Sequence, residues 1–244
     1  MPAPSLNCSL PRHAAVAHAI REEIAAGTWQ PGAKIPSIRL LTERYGVSVA
    51  SVRRALEKLV EANILIGMQG KGVFVRSFEH SGYWNRFHRF QRKDGSLITE
   101  FEDELSGFEM VQATNDLARE LGVEPGTWLV HWSRSMCFDG KFSGFDQAWL
   151  PRDLVPNLKP EHFIKRRRNQ SIYAIYEESD RLFITSSSDR IQAIVNGQGS
   201  IWDVPLEDGI PLLVVQRTSL DISRRIFEFR VQTADARFVQ ICTD

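Results

Sequence analysis

Two pairs of charged residues stand out by type and spacing. Arg134 lies eight residues after Gly126 and precedes Asp146, with turn-forming Asp139-Gly140 between them. Arg217 lies eight residues after Gly209 and precedes Glu228, with a second turn at Ser223-Arg224. Each set reads as a hairpin carrying a guanidinium on one strand and a carboxylate on the next. A guanidinium makes paired hydrogen bonds to carboxylate or phosphate, and a buried carboxylate orients polar ligands. Two such hairpins would line a polar pocket on a pseudo-symmetric antiparallel sheet. The same residues could instead form ion pairs that stabilise the sheet, Arg134 with Asp146 and Arg217 with Glu228.

Other chemistries find less support. Cys8, Cys137 and Cys242 are far apart and follow no metal or redox spacing. His88 has no second His or Cys at ligand spacing, and no nucleophile stands near a base, so neither a cofactor nor a metal is expected. The run Lys165-Arg166-Arg167-Arg168 reads as a solvated loop. Trp84, Phe87 and Phe90 read as packing between domains.

The elements that must position these groups follow from periodicity. Val16, Ile20 and Ile24 recur at helical spacing across 13–26, and Gly27 ends that helix. Ser37 can cap a helix at 38–45, which Gly46 stops. Ser48 can cap another at about 49–62, with Val52, Leu56 and Leu59 as its buried stripe. Two short helices about a glycine turn, the second bearing exposed Arg, make the helix-turn-helix pattern. Residues 65–68 and 73–75, around Gln69-Gly70-Lys71-Gly72, then read as a hairpin wing. Beyond about residue 97 the signals are mainly strands, at 98–112, 127–138, 142–150, 181–195, 211–221, 226–233 and 237–241. Helices fit at 115–121 and 171–177. The expected organisation is a loose arm at 1–12, a DNA-binding domain at 13–76, a linker or domain start at 77–96, and a second domain at 97–244.

Charge divides along the same line. The 244 residues carry no net charge, yet residues 1–76 hold ten Lys/Arg against five Asp/Glu, and the remainder has the opposite excess. A basic first third suggests a polyanionic partner for that module alone. No apolar run approaches the roughly 20 residues a membrane span needs, and the N-terminus lacks a leader pattern. The sparse cysteines fit a reducing compartment. The expectation is a cytoplasmic protein with no membrane partner.

Three motifs then carry a resemblance. Pro36-Ser37-Ile38-Arg39-Leu40-Leu41, Val47-Ser48 with Ser51-Val52-Arg53-Arg54-Ala55-Leu56, and Gln69-Gly70-Lys71-Gly72-Val73-Phe74-Val75 resemble the winged helix of the GntR family of regulators. The remainder resembles the UTRA ligand-sensing domain of its HutC subgroup through Leu117-Ala118-Arg119-Glu120-Leu121-Gly122-Val123-Glu124-Pro125-Gly126, Trp149-Leu150-Pro151, Ser171-Ile172-Tyr173 and Glu207-Asp208-Gly209. The resemblance implies an α+β chain: a winged helix-turn-helix joined to a chorismate-lyase-like domain with an antiparallel sheet. It implies a homodimer that binds double-stranded operator DNA, commonly as a repressor released by a small-molecule effector.

By the same resemblance, Arg39, Ser48, Ser51, Arg53, Arg54, Gly70 and Lys71 contact DNA. Arg134, Ser171 and Tyr173 match positions that hold an anionic ligand, and Asp146 and Glu228 match acidic positions that bind hydroxyl or amino groups. Arg217 could supply a further charge. Three positions depart from the family pattern: Val49 and Met136 each stand where Arg is usual, and Ile38 where an acidic residue is usual. The alternatives are an enzyme on the lyase-like fold, or a DNA-binding protein whose second domain only dimerises.

Overall fold

Two helices of the first third begin where a serine hydroxyl caps them. In the computed structural model, Ser37 Oγ accepts the Leu40 N–H at the start of α2 (Ile38–Tyr45), and Ser48 Oγ accepts the Ser51 N–H at the start of α3 (Val49–Glu61). Gly46, in the left-handed region at φ 62°, ends α2 and turns the chain toward Ser48. Ser48→Ala is expected to lower stability by about 1 kcal/mol. The check is the denaturation midpoint of the full chain, with Ser48→Asp retaining it.

The structure describes residues 9–77, 90–96, 98, 102–138, 141–166, 170–197 and 207–242, with the backbone alone at 141–143. Expectations placed on Cys8, Trp84, Phe87, His88, Arg167 and Arg168, and on the turn at Asp139-Gly140, lie outside the described residues. Two compact units are present: residues 1–77 with 183–186 and 221–225, and the rest of the chain.

The first unit opens with α1 (Arg12–Ala25), continues through α2 and α3, and ends in an antiparallel hairpin of β1 (Leu65–Met68) and β2 (Gly72–Val75). Val16, Ile20 and Ile24 of α1 pack with Leu41 of α2 and with Val52, Ala55, Leu56 and Leu59 of α3. An ion pair of Arg44 with Glu23 at 2.6 Å, joined by the Tyr45 hydroxyl at 2.9 Å, ties α2 to α1. Burial, and then the hydrogen bond to Glu23, push the Tyr45 hydroxyl pKa upward.

The second unit is built on six antiparallel strands, in the order β4-β5-β6-β9-β8-β7. These are β4 (Glu102–Gln112), β5 (Trp128–Phe138), β6 (Lys141–Pro151), β7 (Ile184–Val195), β8 (Pro211–Asp221) and β9 (Ile226–Asp235). Helix α4 (Asn115–Leu121) covers one face, placing Ala118 and Leu121 against Leu129, Trp149, Phe229 and Val231. Helices α5 (Pro160–Ile164) and α6 (Ile172–Asp180) serve the other face, with Phe163 against Trp132 at 5.3 Å between ring centroids. β3 (Phe90–Arg92) pairs with β10 (Val239–Ile241) in a separate small ribbon. Neither α5 nor β3 was expected from the sequence. Five and three residues are too few to display a period.

Among the described residues no helix is long and apolar enough to cross a membrane, which says nothing of a β-barrel. Among the same residues no group of His, Cys, Asp and Glu could hold a metal ion.

Candidate functional site

The first candidate surface follows from what the core leaves outside. Burial of Val52, Ala55, Leu56 and Leu59 turns Val49, Ala50, Arg53, Arg54, Glu57 and Lys58 outward along α3. Arg39, in the first turn of α2, is exposed and reaches Glu43 at 3.8 Å. Such a surface pair contributes little and leaves the guanidinium available to another anion. Ser51 Oγ lies 3.0 Å from Ser48 Oγ, so the two hydroxyls share one site at the start of α3. Gly70 and Lys71 form the exposed tip of the β1–β2 hairpin, where Gly70 at φ 72° makes the turn. All seven residues predicted to meet DNA therefore lie at helix starts, on the outer face of α3 or at the hairpin tip.

The second candidate site is a buried ionic cluster on the sheet face served by α5 and α6. Arg134 on β5 and Asp146 on β6 stand directly opposite each other in the strand register. The Arg134 Nε donates to Asp146 Oδ2 at 2.9 Å. Arg230 on β9 donates its Nε to Asp146 Oδ1 at 2.7 Å and makes a second bond to Oδ2. Asp103 on β4 bridges Arg134 to Arg166, from the segment between α5 and α6. The Arg166 Nη1 also donates to the Gln170 carbonyl at 2.7 Å. Arg166 thus belongs to the cluster and not to a solvated loop, a correction to the sequence reading. Three guanidiniums share two carboxylates here.

Electrostatics follow from that count. Burial alone would raise the Asp146 pKa, but the charges of Arg230 and Arg134 and their hydrogen bonds outweigh it, holding the carboxyl below its ordinary range. Burial, with the Arg230 charge adding to it, lowers Arg166 to about 10. Trp132 lies beneath the cluster, its ring centroid 5.9 Å from the Arg134 guanidinium and 5.4 Å from that of Arg230.

Glu228 is held differently. Its carboxylate accepts from Tyr173 Oη at 3.0 Å, Tyr176 Oη at 2.9 Å and Ser219 Oγ at 2.8 Å. The Trp132 Nε1–H in turn donates to Tyr176 Oη at 2.8 Å. Burial, and then the Glu228 charge, raise both tyrosine pKa values.

The pairing expected of Arg217 with Glu228 is replaced. Arg217 makes a bidentate bond to Asp189 on β7, at 2.7 and 2.8 Å. The register explains this: Arg217 faces Arg230, while Glu228 faces Ser219. Ser171 caps α6 by accepting the Tyr173 N–H at 3.2 Å. Met136 is buried in an apolar cluster with Phe138, Val215 and Ala234. The second guanidinium at Asp146 comes from Arg230, which the sequence reading missed. Its signal was present, since Arg230 lies two residues beyond Glu228 on the same strand and so on the same face. Asp103, Asp189 and Tyr176 were missed as well, each lacking a motif of its own.

A model of the gntR family of bacterial regulatory proteins matches residues 12–75, and a UTRA domain model matches residues 100–238. The mannosyl-D-glycerate transport/metabolism system repressor MngR of Escherichia coli is 26% identical over 234 residues, 95% of each chain. The HTH-type transcriptional repressor NagR of Bacillus subtilis is 23% identical over 210 residues, 86% of this chain and 84% of its own. The solved ligand-binding domain of a GntR-family regulator from Bordetella bronchiseptica superposes with a TM-score of 0.58 at 19% identity, covering 65% of this chain and 97% of its own. The transcriptional regulator YydK from Bacillus subtilis does so with a TM-score of 0.53 at 18% identity, covering 96% and 99%. At these identities the structural likeness speaks to fold alone. With an N-terminal GntR winged helix and a UTRA domain that spans more than half its length, the chain belongs to the HutC subgroup of the GntR family, transcription regulators and not enzymes.

Proposed function

We propose that this regulator is a homodimeric repressor whose hold on operator DNA is set by a small polar, anionic effector bound in residues 97–244. The observation that carries the reading is the cluster in which Arg134, Arg166 and Arg230 share Asp103 and Asp146. The nearby Glu228 is taken up by hydroxyl donors. A ligand carboxylate or phosphate would compete with Asp103 for Arg134 and Arg166, adding negative charge where guanidiniums are in excess. Tyr173, Ser171, Arg217 and Glu228 would frame the ligand's polar groups. That MngR and NagR are both repressors supports the sign of regulation.

On the DNA side, residues 13–76 would carry recognition. Arg39, Arg54 and Lys71 would meet phosphates, Ser48, Ser51 and Arg53 would lie in the major groove, and Gly70 would let the hairpin backbone approach the minor groove. A dimer would read two half-sites related by a twofold axis.

Coupling is reciprocal, so an effector that weakens operator binding must itself bind less tightly to the DNA complex. The test is a thermal-shift screen of sugar acids and sugar phosphates, followed by operator binding with each compound that stabilises the protein. A stabilising anion that releases the operator is expected. Stabilisation by neutral polyols alone would overturn the anionic effector.

A further inference from the structure

We propose that Val49 reads the C5-methyl group of a thymine in the major groove and so sets one base of the operator. The inference rests on the reading of α3 as the DNA-recognition helix.

Among the described residues of the first unit, large apolar side chains that remain exposed are few: Leu10, Leu40 and Val49. A single exposed apolar residue is ordinary in itself. The place of Val49 is what distinguishes it. It is the first residue of α3, 49% exposed, next to the capping Ser48. The first residues of a recognition helix are those that reach base edges.

Arg53, also exposed, follows one turn later on the same face, about 6 Å along the axis at 1.5 Å per residue. Val52, Ala55, Leu56 and Leu59 turn one side of α3 into the core, and Val49 and Arg53 stand at the edge of that buried stripe, still open to solvent. Ser48 holds the first turn through its bond to the Ser51 N–H, so the Val49 backbone is already ordered before DNA arrives.

Side-chain chemistry then narrows the base. Valine has no donor or acceptor, so it cannot recognise guanine, adenine or cytosine by hydrogen bonding. The one apolar feature in the major groove is the thymine methyl. A β-branched side chain in a helix keeps essentially one χ1 rotamer. Its two methyls are therefore presented with little freedom to lose on binding. Contact with thymine would cover one methyl-sized apolar group, and that burial is the discrimination available.

The experiment first selects a high-affinity duplex from random DNA with the full chain. Each thymine in that duplex is then replaced in turn by deoxyuridine, which removes only the methyl. At one thymine per half-site the replacement is expected to weaken binding about fourfold, the effect of burying one such group. Val49→Gly, which leaves no side-chain carbon at this position, should bind the thymine and deoxyuridine duplexes equally. Val49→Arg should shift the base selected at that position toward guanine. Insensitivity of the wild-type chain to every deoxyuridine would overturn the proposal. So would a Val49→Gly protein that still distinguishes the two bases, since another side chain would then read the methyl. Failure to select any duplex would remove the DNA-binding premise itself, a result distinct from the other two.

Discussion

Asp146→Ala is expected to destabilise the second unit by about 3–5 kcal/mol, the loss typical when one partner of a buried ion pair is removed. Asp146 is fully buried and takes bonds from both Arg134 and Arg230. Without it Arg134 keeps only Asp103, and Arg230 is left as a buried cation beside it. Urea denaturation followed by circular dichroism measures the effect. Asp146→Asn should recover part of the loss by keeping one acceptor oxygen, while the charge and the second acceptor are still missing. A change below about 1 kcal/mol for the alanine variant would mean that water or a rearranged carboxylate replaces Asp146 easily.

The same group predicts a direction in pH. Its folded pKa is depressed below the ordinary value near 3.9, so its contribution is complete above that value and is lost as pH falls through the folded one. Wild-type stability should therefore fall on acidification below about pH 4 more steeply than that of Asp146→Asn. Parallel pH profiles for the two proteins would contradict the assignment.

Arg53→Ala is expected to weaken operator binding by about 1–3 kcal/mol, roughly five- to 150-fold, if the guanidinium reads a base. Arg53 is exposed on the outer face of α3 and contributes nothing to the core, so the variant should fold normally. A base contact and a phosphate contact separate in a salt series. Loss of a phosphate contact weakens all DNA similarly and lowers the salt slope by about one unit. Loss of a base contact relaxes specificity and leaves random-sequence binding largely unchanged. Equal affinity of wild type and variant for both operator and random duplexes would sink the role.

Local chemistry is what made the first unit legible. α2 and α3 begin after Ser37 and Ser48, and α2 stops at Gly46, because caps and left-handed glycines act within a few residues. The alternation along β5 and β6 likewise placed Arg134 opposite Asp146. The second hairpin shows where spacing fails. Arg224, at φ 64° in the β8–β9 turn, and the register shift between Ser219 and Leu220 leave Glu228 two positions from Arg217. Arg217 then pairs with Asp189, while Arg230 meets Asp146 across the separate β6–β9 pairing. Asp103 and Arg166 meet from positions 63 residues apart, a contact that only the folded sheet brings about.

Trp132 lies closed off from solvent, flanked by the Arg134 and Arg230 guanidiniums, with its indole N–H committed to Tyr176. Indole emission shifts with the electric field across the ring, and two fixed cations set that field here. Any event that drew either cation away would change the colour of this one residue. The sensing half of the protein thus contains its own optical gauge of the state of the cluster, with no dye to attach.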